Sequence, residues 1–459
     1  MPRSSWGVCG SLFVMTIFLG GHLHAGQEPV MRVLVLESNQ LRFRADGDYP
    51  LIVDGIGSRK QRVSTLKIRQ NNGQFVLAIN GRTKHWSYLS PKTELKILSK
   101  DPRGIWLGKR RYRGELRVLF RGDRLKVVNH VGIEKYLVSV VGSEMPKSWP
   151  MDALKAQAVA ARTYALQQLD KKNDYDVNST ESSQVYLGIE SETKSTKQAV
   201  SSTRSLVLTY KGQLINAVFH SSSGGKTEAS GSVWKQQMPY LVSVRDHDQQ
   251  SPSYRWKIRF DPYQLEAAFS EVGGLHKIQV IRSSSTGRVL LVSVGGPNGD
   301  MQLTGKDLRR RLALKSTLVT FQTQPYESMR NNKLKSSTSF PLGNKEALPS
   351  KRWSSPEFRR RWSLQKSGSH LPARQKDAFL HFFPLDASPL PNPPPIFTLD
   401  APSPLPPIPK QYSLLVKGAG AGHGVGMSQW GAYGLAKKGV NFRRILTHYY
   451  KGVEIDYLH

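Results

Sequence analysis

The sequence predicts an α+β protein, in which a β-rich N-terminal domain is followed by a mixed α/β domain with a central alanine-rich helix. Three observations lead to this class. Short alternating segments fill residues 30–129, an alanine-rich segment of helical spacing begins at Met151, and a basic, proline-rich stretch at residues 324–411 interrupts the second domain before it resumes at 412–459. Period-two alternation is typical of half-buried strands, and three-to-four spacing is typical of helices.

The first 25 residues are predicted to be a signal peptide. Arg3 precedes an apolar run from Ser11 to Gly21, which has signal-peptide length and is too short for an ordinary membrane span. Two outcomes stay open: cleavage after Ala25, or retention as an anchor, because Leu23 suits a cleavage site poorly. Either outcome predicts an exported protein of the periplasm or cell envelope.

The composition restricts the partners and cofactors. Lys and Arg number 66 against 34 Asp and Glu, a formal net charge of +32 that favours an anionic partner. Nucleic acid is not expected, because the chain lacks zinc-finger spacing, an RNA-recognition pattern and a helix-turn-helix signature. The single cysteine, Cys9, lies in the leader, so neither a disulfide nor a thiolate metal site is predicted. Metal binding by histidines alone stays open, but no motif indicates it, and no cofactor is predicted.

Residues 30–129 predict a series of short strands. The segments VMRVLVLE, STLKI, QFVLAI, ELKIL, GELRVLF and LKVVN are β-rich, and turn pairs such as Asn80-Gly81 separate them. This part carries no cluster of reactive side chains. Its expected role is to support or present the domain that follows.

The segment around Glu144 predicts a buried strand, a tight loop and a long helix. Residues 138–141 are apolar, and the helix is expected from Met151 to about Leu169, where many small side chains indicate close packing. Glu144 would lie in the loop before the helix N-terminus. Its carboxyl could act as a general acid if desolvation raises its pKa, or it could accept backbone hydrogen bonds at the helix entry.

Three groups of motifs resemble the stage II sporulation protein D (SpoIID) family, which includes proteins called LytB or amidase enhancers. The groups are VVNHVGIEKYLVSVVGSEMP with WPMDALKAQAVAARTYAL, then SSQVYLG with FHSSSGGKTE, and finally GHGVGMSQWGAYGLAKKG. Their order and spacing match the family apart from one insertion. The resemblance covers most of the mature chain.

The resemblance implies a lytic transglycosylase that acts on peptidoglycan glycan strands. Characterised members resemble enzymes that cut between N-acetylmuramic acid and N-acetylglucosamine, leave a 1,6-anhydro product and prefer strands without stem peptides. The family's catalytic acid is the glutamate of the EMP motif, here Glu144, and no second acid stands out beside it. The alternative is a non-catalytic, peptidoglycan-binding enhancer of a separate cell-wall amidase.

Under this resemblance, eight further side chains are expected to bind the glycan, and no metal is expected among them. They are Arg162, Gln184, Tyr186, His220, Ser222, His423, Ser428 and Gln429. Structural alternatives stay open for two of these residues. His220 could be a core histidine bonded to the backbone, and His423 could only stabilise its glycine-rich turn.

The stretch at residues 324–411 departs from the family pattern. It contains the basic clusters KRW and RRRW, then a proline tract, so it is predicted to be mostly disordered. The chain is expected to return at Ser413 and add a strand beside residues 318–322. The clusters favour contact with an anionic envelope polymer, a membrane surface or a wall partner, and a tolerated spacer is the alternative.

Overall fold

The computed structural model describes residues 28–71, 74–86, 94–121, 124–170, 172–326 and 412–458. The predicted leader and nearly all of the predicted insertion lie outside these residues. The described chain is a mixed α+β structure, as the sequence predicted. Within it, none of the helices combines the length and the apolar character that crossing a membrane requires.

The N-terminal part consists of strands arranged in two sheets, one of which also includes the short strand β13 from later in the chain. The strand bounds are β1 Val30–Ser38, β2 Gln40–Arg44, β3 Leu51–Asp54, β4 Gln61–Val63, β5 Thr65–Asn71, β6 Gln74–Ile79, β7 Arg82–Trp86, β8 Glu94–Leu98, β9 Ile105–Leu107, β10 Arg110–Tyr112, β11 Glu115–Arg121, β12 Arg124–Gly132 and β13 Val177–Asn178. The sheet orders are β13-β1-β12-β11-β8-β3-β4 and β10-β9-β2-β5-β6-β7. All six segments predicted as strands are confirmed. Asn80 and Gly81 join β6 to β7 with φ of 49° and 84°, the left-handed conformations that a tight hairpin turn needs.

Helices surround the predicted alanine-rich helix, which is confirmed. The helix bounds are α1 Ile133–Glu144, α2 Met151–Gln167, α3 Lys194–Ser201, α4 Ser230–Val233, α5 Pro262–Ala268, α6 Gly305–Arg311, α7 Gln429–Lys437 and α8 Phe442–Tyr449. The alanine-rich helix is α2, and it packs against α1, α3, α7 and α8. Its small side chains allow this close approach from several sides.

The strand predicted at residues 138–141 is wrong, because these residues belong to α1. The buried apolar residues of α1 recur with helical spacing: Ile133, Tyr136, Leu137, Val140 and Val141. A short apolar run alone does not distinguish a buried strand from one face of a helix. As a consequence, Glu144 is the last residue of α1. The following residue, Met145, is extended (φ −128°, ψ 143°) because it precedes a proline.

The remaining strands form four small sheets. Their bounds are β14 Leu206–Tyr210, β15 Gln213–Leu214, β16 Phe219–His220, β17 Trp256–Phe260, β18 Lys277–Ser283, β19 Val289–Gly296, β20 Gly299–Thr304, β21 Val319–Pro325, β22 Tyr412–Gly418, β23 Met427–Ser428 and β24 Glu454–Tyr457. The sheet orders are β15-β14-β24, β16-β23, β17-β22-β21 and β18-β19-β20. The predicted return strand is confirmed as β22, which pairs with β21 in antiparallel register, Val416 opposite Phe321.

Buried apolar side chains form two clusters. One cluster extends along the chain from Met31 to Val453 and includes α1, α2 and both N-terminal sheets. The other contains side chains from residues 256–319 together with Leu414 and Val416. Residues 412–418 therefore complete the second cluster, and α7 and α8 then return to the first.

Candidate functional site

Two donors from distant parts of the chain hold the carboxyl of Glu144. Its Oε1 accepts a hydrogen bond from the backbone N–H of Val185 at 2.8 Å, and its Oε2 accepts one from Nε2 of Gln429 at 3.0 Å. Val185 belongs to the SSQVY loop, and Gln429 is the first residue of α7. The carboxyl is thus the point where all three motif groups meet. A carboxylate has about four lone-pair positions, so these two bonds leave room for a further contact.

The surroundings of Glu144 favour its protonated form. Burial raises the pKa of Glu144 above its usual range, the hydrogen bonds from Val185 and Gln429 oppose this rise, and the nearby charge of Glu181 adds to it. The position at the C-terminal end of α1 acts in the same direction, because the negative end of a helix disfavours a carboxylate. The residue nevertheless stays partly exposed.

Gln184 and Tyr186 position the loop that holds Glu144. Gln184 is fully buried, accepts a hydrogen bond from the hydroxyl of Tyr136 at 3.0 Å and donates to the carbonyl of Ala161 at 3.2 Å. The hydroxyl of Tyr186, also buried, donates to Oδ1 of Asn129 at 2.7 Å. Both side chains therefore point into the protein. The predicted substrate contacts of Gln184 and Tyr186 are corrected to a positioning role.

Arg162 is the cationic member of a buried ion pair. Its side chain is fully buried, and Nε and Nη2 each donate to a carboxylate oxygen of Glu134 at 2.8 Å. Nη1 donates to the carbonyl of Leu206 at 3.1 Å. The predicted substrate role of Arg162 is wrong for this reason. The guanidinium instead joins α1, which carries Glu134, to α2.

The two glycine-rich segments align side by side, and this alignment directs Gln429 towards the acid. In the parallel pair β16–β23, His220 lies opposite Ser428. Ser428 is buried and caps α7, since its Oγ accepts from the N–H of Gly431 at 3.1 Å. A Cβ at Gly431 would lie 1.8 Å from Oδ1 of Asp246, so only glycine allows α7 to approach this closely. The predicted substrate contact of Ser428 is corrected to helix capping.

His220 and Ser222 are interior residues. His220 is 5% exposed, its Nδ1 lies 3.0 Å from the carbonyl oxygen of Val425, and burial lowers its pKa to about 3. Ser222 is fully buried and donates to Oδ2 of Asp248 at 2.5 Å. The geometry of His220 matches the core-histidine alternative. Neither side chain lines a surface groove, which corrects their predicted substrate contacts.

His423 retains some exposed surface. Its Nδ1 accepts a hydrogen bond from the N–H of Val425 at 3.1 Å, a contact within the glycine-rich turn. Its ring centroid lies 5.5 Å from that of His220 and 5.3 Å from that of Trp234. Burial, together with the charges of neighbouring cations, holds the pKa of His423 well below its usual range. The imidazole is therefore neutral, stabilises the turn and is partly accessible.

Three features near Glu144 were missed by sequence reasoning. Val185 contributes a backbone N–H, for which residue type gives no signal. Glu181, exposed in the same loop, is a second acid whose charge raises the pKa of Glu144, although none was expected there. Trp430 follows Gln429 directly. Its occurrence as an aromatic residue inside a polar, glycine-rich motif is a signal from which the sequence could have identified it. Over the described ranges, no group of three or more His, Cys, Asp and Glu residues is placed to hold a metal ion.

Comparisons with known proteins agree with this arrangement of motifs. Residues 121–210 match the family model described as SpoIID, stage II sporulation protein. The chain is 29% identical over 367 residues to an uncharacterized protein of Brachyspira hyodysenteriae, covering 79% of this chain and 77% of that protein. It is 28% identical over 338 residues to the amidase enhancer of Bacillus subtilis, covering 70% of this chain and 40% of the enhancer. It is 33% identical over 208 residues to stage II sporulation protein D of Bacillus subtilis, covering 41% of this chain and 60% of that protein. The aligned regions thus span less than two thirds of both Bacillus subtilis relatives.

Proposed function

Because the chain carries a SpoIID domain at residues 121–210, we propose that it is a lytic transglycosylase of bacterial peptidoglycan. It cuts the glycan strand between N-acetylmuramic acid and N-acetylglucosamine and leaves a 1,6-anhydro end. The observation that carries the proposal is the Glu144 carboxyl, which burial keeps towards its protonated form and which two donors hold in place. Export of the chain, as the predicted leader provides, would bring it to this substrate.

In the first half of the proposed reaction, Glu144 acts as a general acid. The protonated carboxyl donates its proton to the glycosidic oxygen as the bond to the muramic acid C1 breaks, and positive charge develops at C1. A raised pKa favours this step because more of the carboxyl carries a proton at a given pH. The N-acetylglucosamine end leaves with the donated proton.

In the second half, Glu144 acts as a general base. Its carboxylate accepts the proton of the sugar's C6 hydroxyl while that oxygen bonds to C1, so the ring closes and the carboxyl regains its proton. No water is consumed. The hydrogen bonds from Val185 and Gln429 stabilise the carboxylate between the two halves. One carboxyl therefore serves both steps, in contrast to the paired acids of ordinary glycosidases.

A second candidate is a non-catalytic enhancer that binds the glycan and stimulates a separate cell-wall amidase. The name of the relative that is 28% identical to this chain, amidase enhancer, favours it. A net charge of +32 also suits attachment to an anionic wall polymer without cleavage. The two candidates differ in whether the Glu144 carboxyl is needed.

The test compares the wild-type protein with Glu144→Gln on purified glycan strands. The substituted amide keeps both local hydrogen bonds, since its carbonyl can accept from Val185 and its amino group can donate to a rotated Gln429 amide. We expect the variant to release 1,6-anhydro products about 10²- to 10⁴-fold more slowly, the usual contribution of a general acid. Glu266→Gln, at an exposed position of α5, is the matched control and keeps full activity.

Mass spectrometry of the products separates the outcomes. Anhydro ends that the wild type produces and Glu144→Gln does not produce support the proposed transglycosylase activity. Reducing ends would indicate hydrolysis, and Glu181→Gln would then show whether the second acid activates water. Equal amidase stimulation by wild type and Glu144→Gln, with no cleavage by either, supports the enhancer. Parallel digests of intact and amidase-treated strands show whether stem peptides must be removed first, as the proposal expects.

A further inference from the structure

Three aromatic side chains, Trp149, Trp430 and Tyr433, form what we call the aromatic cluster. The ring centroids of Trp149 and Trp430 lie 4.8 Å apart, those of Trp149 and Tyr433 4.9 Å, and those of Trp430 and Tyr433 5.4 Å. The corresponding planes are inclined at 63°, 45° and 72°. Since no two rings stack face to face, the rings leave part of their faces uncovered by one another.

The aromatic cluster is built from the two chain segments that adjoin the acid. Trp430 follows Gln429, whose amide donates to Glu144 at 3.0 Å. Trp149 lies in the short connection between the end of α1, at Glu144, and the start of α2. The N–H of Trp149 donates to the carbonyl of Pro146 at 3.0 Å, which closes this connection into a turn. Both sides of the cluster are thereby fixed relative to Glu144.

Trp430 and Tyr433 do not pack as core residues do. They lie three residues apart on one face of α7 and are partly exposed, whereas Ala432 and Leu435 of the same helix enter the first hydrophobic cluster. In the described part of the chain, neither the indole N–H of Trp430 nor the hydroxyl of Tyr433 donates a hydrogen bond. This face of α7 therefore offers apolar ring surface and two uncommitted donors. Trp149 packs against the hydrophobic cluster and supports them.

We propose that the aromatic cluster is a glycan subsite, which holds an N-acetylhexosamine ring of the strand next to the bond that Glu144 cleaves. A pyranose ring has an apolar face of C–H groups that fits against an aromatic face. Its hydroxyl and acetamido oxygens accept hydrogen bonds of the kind that Trp430 and Tyr433 can donate. The identity of the polymer rests on the proposed function, but binding of sugar rings by the cluster does not depend on cleavage.

Isothermal titration calorimetry on the full chain carrying Glu144→Gln tests the subsite without consuming the ligand. The probes are chitotetraose and amidase-stripped glycan strands. Adding Trp430→Ala or Tyr433→Ala is expected to weaken binding about tenfold or more, as truncation of a central aromatic contact commonly does. Tyr433→Phe keeps the ring and retains most of the affinity. Tyr263→Ala, at a 67% exposed position on α5, is the matched control and changes nothing.

Equal affinity of the alanine variants and their parent overturns the proposal. If an alanine variant loses its folded circular dichroism spectrum, the fluorescence change caused by chitotetraose is compared between the parent and its Trp430→Phe variant. A diminished change in the Trp430→Phe variant supports the subsite, and an undiminished change overturns it.

Two further outcomes separate this proposal from others. Normal glycan binding with lost amidase stimulation would assign the cluster to a protein partner and overturn the sugar assignment. Cluster-dependent binding by a wild type that makes no cuts would retain the subsite and reject the proposed catalysis.

Discussion

Replacing Gln429 with leucine would remove one hydrogen bond from the carboxyl of Glu144 and leave the local packing largely intact. Leucine is similar in size to glutamine and cannot donate, and the site is 7% exposed, so an apolar side chain suits it. In the described residues, the Nε2 bond to Glu144 is the only side-chain hydrogen bond of Gln429, so no other protein group loses a partner. The variant therefore isolates the effect of this amide on the acid.

The magnitude follows from the charge of the acceptor. A hydrogen bond from an amide N–H to a carboxylate contributes about 1.5–3 kcal/mol to stability, and one to a neutral carboxyl contributes about 0.5–1.5 kcal/mol. Gln429→Leu thus destabilises the ionised form of Glu144 by about 1–1.5 kcal/mol more than the protonated form, which is about tenfold in the ionisation equilibrium. Because the amide opposes the rise in the pKa of Glu144 caused by burial, its loss raises that pKa further.

The assay is the rate of anhydro-product release from stripped glycan between about pH 4 and pH 9. We expect the alkaline limb of the profile to move about one unit upward, and Gln213→Leu at an exposed position of β15 to leave it unchanged. A ¹³C NMR titration of the Glu144 carboxyl gives the same information independently of catalysis. If the alkaline limb of the rate profile and the pKa of Glu144 from the NMR titration are both unchanged or lower in the variant, the reasoning that Gln429 stabilises the carboxylate is refuted.

Two further predictions concern buried ionisable groups away from the reacting atoms. Arg162→Met leaves Glu134 without its partner and should lower the free energy of unfolding by about 3–5 kcal/mol in urea titrations. The double variant with Glu134→Leu should recover much of this loss, and a single variant as stable as the wild type would contradict the buried pair. His220 has a pKa of about 3 in the folded protein and about 6.5 when unfolded, so the unfolded chain binds the proton more readily. The buried, neutral His220 therefore costs no stability above about pH 6.5. As the pH falls from there towards the folded pKa, the free energy of unfolding decreases by about 1.4 kcal/mol per pH unit. His220→Asn, which can still donate to Val425, should flatten the stability profile between about pH 4 and pH 6 by this slope; an unchanged slope would count against a neutral, buried imidazole.

The strands and the central helix were predictable because their signals are local. Alternation identified the N-terminal strands, and alanine content identified α2. The return strand β22 could also be anticipated, since a β-rich segment resumed after the proline tract. By contrast, α1 was read as a strand because residues 138–141 alone do not reveal its period. The neighbouring apolar positions Ile133, Tyr136 and Leu137 carry that information.

The sequence predicted the central acid of the site, but not the side chains that contact and position it. Glu144 stood out through its motif, but its contact with Gln429 joins residues 285 positions apart, a pairing that no local pattern records. The role of Arg162 was misjudged for a related reason. Its partner Glu134 is on another helix, and only the packing of α1 on α2 turns two ordinary polar residues into a buried ion pair. Polar residues near a motif therefore divide into groups that contact substrate and groups that hold those in place.

The course of the chain explains how the site tolerates a long interruption between its parts. Residue Pro325 of β21 lies opposite Tyr412 of β22, so the chain leaves and re-enters the sheet at adjacent positions. The entropic free-energy cost of closing a loop grows slowly with loop length, by about 0.6 kcal/mol for each doubling. The intervening residues can therefore vary in length and charge with little effect on stability. Because β22 is paired on both sides, with β17 and β21, the position of α7 and of Gln429 is set by the sheet and not by the interruption.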